Sequence, residues 1–495
     1  AVGQQALYTN TTANWNTAVG YDSLRLNTTG TENVALGLEV LKANTTGNRN
    51  TAVGAAALDA NTTASYNTAI GYASLSSNTT GANNTAIGNE ALIANTTATG
   101  NVAVGMETLK ANTTGATNTA LGNKSLLANT TASNNTAVGD STLRANTTGA
   151  NNTAIGKDAL RANTTGDSNV ASGYQSLYNN TTGTNNTADG YQALYTATTA
   201  ANNTAVGYQS LYYTTTGASN IAVGRHALVA NTTGGENTAV GINSLDANTT
   251  GTQNVAVGAN ALTTCTTGNN NATVGRESLR LLTTGVNNTA IGDNAGAAIT
   301  TSNWNTMIGS GAGNTTTTGN SNVCVGNAAR MDSGSQTNGI VIGDNLSSGG
   351  DVFAFGKASN KVYNSFTSNA SWTRSSDERK KTEIADATLG LDFVNDLSTK
   401  TFKWKRSQDI PNTLDDYDAD VNHMDTDVTM HGMLAQDVKA ALDTAGVTTF
   451  GGWQEESDGS QSLSQEMFIY PLIKAIQELS TKNDALEARI TALES

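Results

Sequence analysis

Proline is almost absent from this chain of 495 residues, in which Pro411 and Pro471 are the only two. Proline has no backbone N–H, so its absence suits a long stack of hydrogen-bonded strands. Two cysteines, Cys265 and Cys324, are too few for a disulfide scaffold or a zinc ribbon. No run of 18 or more apolar residues occurs, so no membrane span is predicted.

Charged residues are also scarce, at 13% of the chain, and they are unevenly spread. Residues 376–495 hold 23 of the 40 acidic and 11 of the 26 basic residues, and therefore −12 of the net charge of −14. Residues 1–375 are almost uncharged. Neither part has the clustered Lys and Arg that nucleic-acid binding needs, so no nucleic-acid partner is predicted. The change in charge density predicts a domain boundary near residue 375.

A repeat of 17 residues fills most of the chain. Glycine occupies every seventeenth position from Gly3 to Gly343, and leucine follows four residues later from Leu7 to Leu279. The residues before each glycine have the form Asn, Thr or Val, Ala, Val or Ile, as in "NTAVG". This period is too short for a pair of helices and predicts one coil of a β-solenoid, or β-roll, per repeat. Stacking of the coils would build the core, since a single coil buries too little to fold alone.

The alternation within each repeat predicts which side chains face inward. The two β-branched positions of "NTAVG" share one face of a strand, and we expect that face to point into the core. The glycine permits a tight corner. The segment after it, "YDSLRLN" in one repeat, predicts a helical turn whose leucine reaches under the strand. The alanine would then form a smooth outer column where another chain could approach, or be only a short outward residue in a crowded turn.

Asn-Thr-Thr recurs in register, and each copy is a sequon for N-glycosylation. The alternative is a structural role, because Asn and Thr bond to nearby backbone and stacked copies form ladders. We favour the ladder. The candidate positions are Asn10, Asn27, Asn44, Asn61, Asn78, Asn95, Asn112, Asn129, Asn146, Asn163, Asn180, Asn231 and Asn248.

The strand motif resembles the head repeats of trimeric autotransporter adhesins, although the period here is longer. The repeat is still more similar to the repeat regions of phage-type tail fibres. Both resemblances imply an elongated homotrimer.

Three segments near the C-terminus carry a second resemblance. They are "SSDERKKTEIADATLGLDFVNDLSTKTFKWK" (375–405), "HGMLAQDV" (431–438) and "SQEMFIYPLIKAIQEL" (464–479). In this order they resemble the intramolecular chaperone domain of endosialidase-type tailspikes and tail fibres. The resemblance implies a domain that trimerises the fibre and then cuts itself off with a serine–lysine dyad.

The dyad of that family falls on Ser376 and Lys381, with cleavage between Ser375 and Ser376. A serine hydroxyl needs a base to become a nucleophile, and a neutral lysine amine can serve. The neighbouring charges of Arg379 and Lys380 favour the neutral amine. Without the resemblance, "DERKK" would be no more than a solvated run of charges.

The last 30 residues predict a helix with a coiled-coil seam. Apolar residues alternate by four and three, which is a heptad pattern, and one polar position would set the register. Ile at a with Leu at d favours a dimer, whereas the family resemblance implies a trimer, which we follow. The seam consists of Leu472, Ile476, Leu479, Asn483, Leu486, Ile490 and Leu493.

Other constellations indicate little chemistry. "DYDAD" (416–420) has the opening of a calcium loop, but Val421 stands where the loop needs glycine and Asp427 where it needs glutamate. His226, His423 and His431 show no ligand spacing. We therefore predict no metal site and no cofactor.

These observations predict a mainly β protein in four parts. They are a trimeric β-solenoid shaft at 1–343, a neck or linker at 344–375, a small α+β chaperone and autoprotease domain at 376–465, and a coiled-coil helix at 466–495. The chain opens inside a repeat, so we expect residues before Ala1.

The predicted function is that of a structural fibre, a virion tail fibre that attaches to a host-surface receptor or glycan. The alternative is an extracellular or cell-surface fibril or adhesin that uses the same assembly domain. A polysaccharide-cleaving tailspike would need paired carboxylates in a groove, and the acidic residues of the shaft have no fixed pair spacing.

Overall fold

The structure, a computed structural model, describes residues 1–358, 360–367, 373–374, 378, 381–414, 417–422, 424 and 426–494. The chain divides into two compact units, Ala1–Ser375 and Ser376–Ser495. The first unit is a β-solenoid of about 20 coils in which each coil adds one short strand to a long parallel sheet. The prediction of a mainly β chain with a 17-residue solenoid repeat is confirmed.

Successive strands pair in parallel with a register shift of 17 residues, as when Ala137 pairs with Ala154. The regular strands are Thr17–Val19 (β1), Val34–Leu36 (β2), Thr51–Val53 (β3), Thr68–Ile70 (β4), Thr85–Ile87 (β5), Val102–Val104 (β6), Thr119–Leu121 (β7), Thr136–Val138 (β8), Thr153–Ile155 (β9), Val170–Ser172 (β10), Thr187–Asp189 (β11), Thr204–Val206 (β12), Ile221–Val223 (β13), Thr238–Val240 (β14), Val255–Val257 (β15), Ala272–Val274 (β16), Thr289–Ile291 (β17), Thr306–Ile308 (β18) and Val323–Val325 (β19).

The sheet continues beyond Gly343 into the predicted neck. Ile340–Asp344 (β21) pairs in parallel with Val352–Lys357 (β23), which pairs antiparallel with Asn360–Ser365 (β24) and then Thr373–Arg374 (β25). Beside this edge, Arg330–Met331 (β20) and Ser347–Ser348 (β22) form a small parallel pair. The segment at 344–375 therefore contains strands that extend the solenoid sheet.

The glycine column forms the predicted corner. Gly20 has φ 131°, and a Cβ built on it would overlap the carbonyl oxygen of Gly37 in the next coil. Both the backbone angle and the close approach of neighbouring coils require glycine here. The leucine column is fully buried, as at Leu143, and forms the predicted interior of the stack.

The predicted facing of the strands is wrong. The alanine column points inward: Ala137 and its equivalents in the other coils are buried, whereas Thr136 and Val138 on either side are only half-buried. The interior of a coil already holds the leucine, and the space opposite it admits only a small side chain. The two β-branched columns consequently lie on the outer face of the sheet.

The segment after the glycine is also different from the predicted helical turn. Its second and fourth residues are left-handed, with φ 56° at Asp22 and 52° at Leu24. Such angles cost about 1–2 kcal/mol for a residue other than glycine. They turn the N–H of Asp22 toward Gln4 in the preceding coil (3.1 Å) and that of Leu24 toward Val40 in the next (2.9 Å). Hydrogen bonding between coils therefore replaces the local bonds of a helix.

The second unit has α+β structure. Its helices are Leu391–Asp396 (α1), Ala435–Thr444 (α2) and Ile469–Glu494 (α3), with 3₁₀ turns at Ser407–Asp409 and Gln465–Phe468. Thr399–Phe402 (β26) pairs antiparallel with Met430–Met433 (β27), and Trp453–Glu455 (β28) with Gln461–Leu463 (β29). The predicted C-terminal helix and small α+β segment are confirmed.

Candidate functional site: the C-terminal unit and the polar columns of the shaft

The predicted nucleophile and cleavage site, Ser375 and Ser376, lie outside the described residues, as do Arg379 and Lys380. Lys381 is described and exposed, and its backbone N–H donates to the carbonyl oxygen of Glu378 at 2.9 Å. The serine–lysine dyad therefore stays a prediction, and Lys381 is the member of the pair that the structure describes.

The core of the C-terminal unit is small and aromatic. Phe450 makes edge-to-face contacts with Phe393 of α1 and Phe468, with centroid distances of 6.2 and 5.3 Å. Val438 and Leu442, four residues apart on one face of α2, are buried in the same cluster. These contacts hold together the three helices that follow the predicted cleavage site.

A carboxylate ties α3 to the start of α1. The Glu478 carboxylate accepts a hydrogen bond from the backbone N–H of Leu391 at 2.8 Å, which satisfies a donor that the helix itself cannot pair. A Cβ at Gly390 would overlap the same carboxylate, so a larger residue there would make the Glu478 side chain shift. Pro471 and Ala475 are buried on α3.

The predicted seam residues lie on an exposed part of α3. Ile476 is 67% exposed and Leu486 54% exposed. Asn483 is exposed as well, and its amide donates to Glu487 on the same helix at 3.1 Å. These apolar heptad side chains are exposed in the single chain. A partner helix in a coiled coil would bury them. The coiled coil itself stays a prediction.

A shallow cleft lies beside the β26–β27 pair. Its walls include Thr399, Thr401, His431, Met433 and Gln465. At its edge, Lys400 lies 3.9 Å from Asp437, a partly exposed ion pair that contributes little to stability. Among the described residues, Lys381 is not part of the lining of this cleft.

The "DYDAD" segment is used in a local turn. The Asp418 carboxylate accepts the backbone N–H groups of Asp420 and Val421 at 2.8 and 3.0 Å. Asp416 and His423 lie outside the described residues. Among the residues that are described, no group of three His, Cys, Asp or Glu side chains could hold a metal ion.

The sequon asparagines form a buried ladder in the shaft. Asn146 is fully buried, and its amide nitrogen donates to Oδ1 of Asn129 in the preceding coil (3.0 Å) and to the carbonyl oxygen of Gly149 (2.9 Å). Eleven other sequon asparagines are equally buried, whereas Asn10 in the first coil is half-buried. Both amide hydrogens of Asn146 point into the coil, where a glycan has no room.

A second asparagine ladder, at the position before each strand, was not identified from the sequence. Oδ1 of Asn135 accepts the backbone N–H of Asn152 in the next coil at 2.9 Å. The Asn135 amide also donates to the carbonyl oxygen of Gly149 at 3.0 Å. Equivalent bonds run from Asn16 to Asn322. The signal was present in the sequence, since this asparagine recurs in every coil from Asn16 to Asn322.

Tyrosine columns were missed as well. Tyr174, Tyr191 and Tyr208 stack with centroid distances of 5.4 and 5.2 Å and are each at least 40% exposed. A parallel column of Tyr178, Tyr195 and Tyr212 has distances of 5.2 and 5.1 Å. The motif "YQSLY", repeated in three successive coils with Ala for Ser in the middle one, is the sequence signal. The rings of each column face one another along the stack, and the Tyr178 hydroxyl accepts a hydrogen bond from Arg161.

No helix in the described part of the chain is long and apolar enough to cross a membrane.

The comparisons with known proteins concern the C-terminal unit. Residues 376–447 match the model of the family described as "Chaperone of endosialidase". No curated protein matches the chain. The chain therefore carries a chaperone-of-endosialidase domain that follows, in sequence, a β-solenoid of about 20 coils.

Proposed function

We propose that this chain is a structural fibre protein of a virion tail, whose C-terminal domain directs trimer assembly and then cuts itself off. The observation that carries the proposal is the chaperone-of-endosialidase match at 376–447, directly after a long repetitive β-solenoid. A stack of nearly identical coils has many wrong registers and open strand edges, so a dedicated assembly domain has an evident task.

Attachment to a host-surface receptor or glycan is part of this proposal, as is a location on the virion or another extracellular surface. The exposed tyrosine columns of the shaft support it, because aromatic side chains are enriched where proteins bind partners. The C-terminal domain would leave after assembly and would take no part in attachment.

Self-cleavage would use residues of this chain alone. The Ser376 hydroxyl attacks the carbonyl carbon of Ser375 while Lys381 takes its proton as general base. The C–N bond then breaks, the proton passes to the new α-amino group of Ser376, and water hydrolyses the resulting ester. Assembly would come first, because it holds these groups in attacking geometry.

The experiment is mass spectrometry of the full chain after expression and assembly. We expect a shaft fragment that ends at Ser375 and a second fragment that begins "SDERKK". Ser376→Ala and Lys381→Ala should leave intact chains that still assemble. Lys405→Ala, at an exposed lysine outside the predicted dyad, is the matched control and should cut as the wild type does. An unbroken 375–376 bond in assembled wild-type molecules would refute the self-cleavage.

A further inference from the structure

The outer face of the long sheet carries a band of mainly β-branched and aliphatic side chains, which Ser172 and Asp189 interrupt. We name it the apolar stripe: the residues one and three positions before each glycine, from Thr17 and Val19 to Val323 and Val325. Many of them remain well exposed in the single chain, for example Leu36 at 46% and Ile155 at 47%. Ser172 and Asp189 are the only members at the position before glycine that are not apolar.

The charges of the repeat avoid this stripe. In the regular coils they stand one, two or five residues after the glycine, as at Lys157, Asp158 and Arg161, or eleven and twelve residues after it, as at Asp167 and Glu236. Asp189 is the single charge within the stripe. A solvated face of a fibre would be expected to share the charges evenly.

The stripe is about as large as one side of a standard protein interface. With a strand spacing of 4.8 Å, its nineteen strands extend over roughly 90 Å, and two side-chain columns cover a width of about 10 Å. The geometric footprint is on the order of 900 Å², with threonine at 12 of the 19 positions of one column. It is close to the roughly 800 Å² that each partner buries in a standard protein interface.

The rise of the stripe from coil to coil indicates which partner could pack against it. Its side chains recur once per coil, so a partner that packs against the whole length must have the same rise per repeat. Another copy of this solenoid has that rise, and rotational symmetry places equivalent coils at the same height. The uncovered seam on α3 gives the other unit of the chain an apolar row of its own.

We propose that the apolar stripe is the surface through which parallel copies of this chain pack along their shafts. The proposal rests on the self-assembly in the proposed function and specifies the face that is used. Alanine cannot supply this contact, because Ala137 and its equivalents are buried within each coil. The charged and tyrosine-bearing segments are then left for solvent and for other partners.

Cysteine cross-linking of the full chain tests the inference. Thr136→Cys and Val138→Cys place a thiol on the stripe in mid-shaft, and Thr148→Cys is the matched control at an exposed position of the same coil. The native thiols should stay silent, because burial raises the pKa of Cys265 to about 11 and that of Cys324 to about 12. Each variant would be treated with an oxidant or a short bis-maleimide, and its oligomeric state measured by sedimentation.

We expect covalent dimers from at least one stripe variant and none from Thr148→Cys. Assembled molecules in which neither stripe variant cross-links would overturn the stripe assignment while leaving the assembly domain in place. Chains that sediment as monomers would overturn both the stripe and the proposed function.

Discussion

Single asparagine residues perform two different tasks in the shaft. The ladder before each strand satisfies a backbone N–H of the next coil, as Asn135 does for Asn152. The sequon ladder joins side chains to one another, is interrupted by Ala197 and Thr214, and ends at Asn248, beyond which Cys265 and Leu282 take the position. At one such break, Oδ1 of Asn180 is buried without a partner among the described residues. Loss of the first kind of asparagine should therefore be the more harmful.

This difference can be measured with two substitutions in one coil. Asn135→Ala strands a buried backbone donor that cannot rotate away, so we expect a cost of about 2–3 kcal/mol in local stability. Asn146→Ala affects side-chain groups that can reorient, and we expect about 1 kcal/mol. Hydrogen exchange of the backbone amides of residues 135–165 measures both losses of local stability. Equal costs, or the reverse order, would show that the two ladders have the same role.

Near the end of the shaft, a larger side chain at one core position accompanies a smaller one at another. Toward the end of the regular repeat, Gly296 and Gly313 stand where other coils have the core leucine. Met307 replaces the small alanine of its strand, is fully buried, and occupies the space that a side chain at Gly313 would need. Such volume-conserving exchanges keep an interior close-packed.

A double-mutant cycle tests this compensation. Met307→Ala should leave a cavity and cost about 2–5 kcal/mol, and Gly313→Leu should overpack the same space and cost about 1–3 kcal/mol. Leucine suits the backbone there, since Gly313 has φ 66° and the core leucines have φ near 50°.

The double variant restores the usual pair, so its cost should be smaller than the sum of the single costs. Hydrogen exchange of residues 296–325 supplies the local free energies. Strict additivity would mean that the two positions do not share the space.

The whole molecule combines a long low-charge solenoid with a short, charged C-terminal unit. Residues 1–375 hold only −2 of the net charge of −14, which leaves little repulsion against wrong association. The apolar stripe is exposed in the single chain. Correct folding would thus depend on assembly that starts elsewhere.

Deletion of residues 376–495 before folding should therefore leave the shaft aggregated or monomeric. Soluble yield and sedimentation of residues 1–375 would be compared with those of the full-length Ser376→Ala chain, which keeps the domain attached. Soluble oligomers of the truncated shaft at normal yield would contradict an assembly role for the C-terminal domain.

The sequence alone was enough to predict the coil length, the glycine corner, the buried leucine column and the terminal helix. The period of 17 gave the coil length, and the invariant glycine gave the corner. Leu143 and its equivalents gave one wall of the core. The heptad spacing from Leu472 to Leu493 predicted the terminal helix. These features depend on local backbone geometry or on a simple alternation of apolar residues.

The facing of the strands and the backbone of the turns could be seen only in three dimensions. Alternation shows that Thr136 and Val138 share a face, but it does not say whether that face is inside. The narrow interior decides the facing, because the leucine of each coil leaves only a small space opposite it, which alanine fills in most coils. Likewise, Leu24 adopts a left-handed conformation that its own preferences oppose, because its N–H must reach the neighbouring coil. In a solenoid, contacts between coils outweigh local preference.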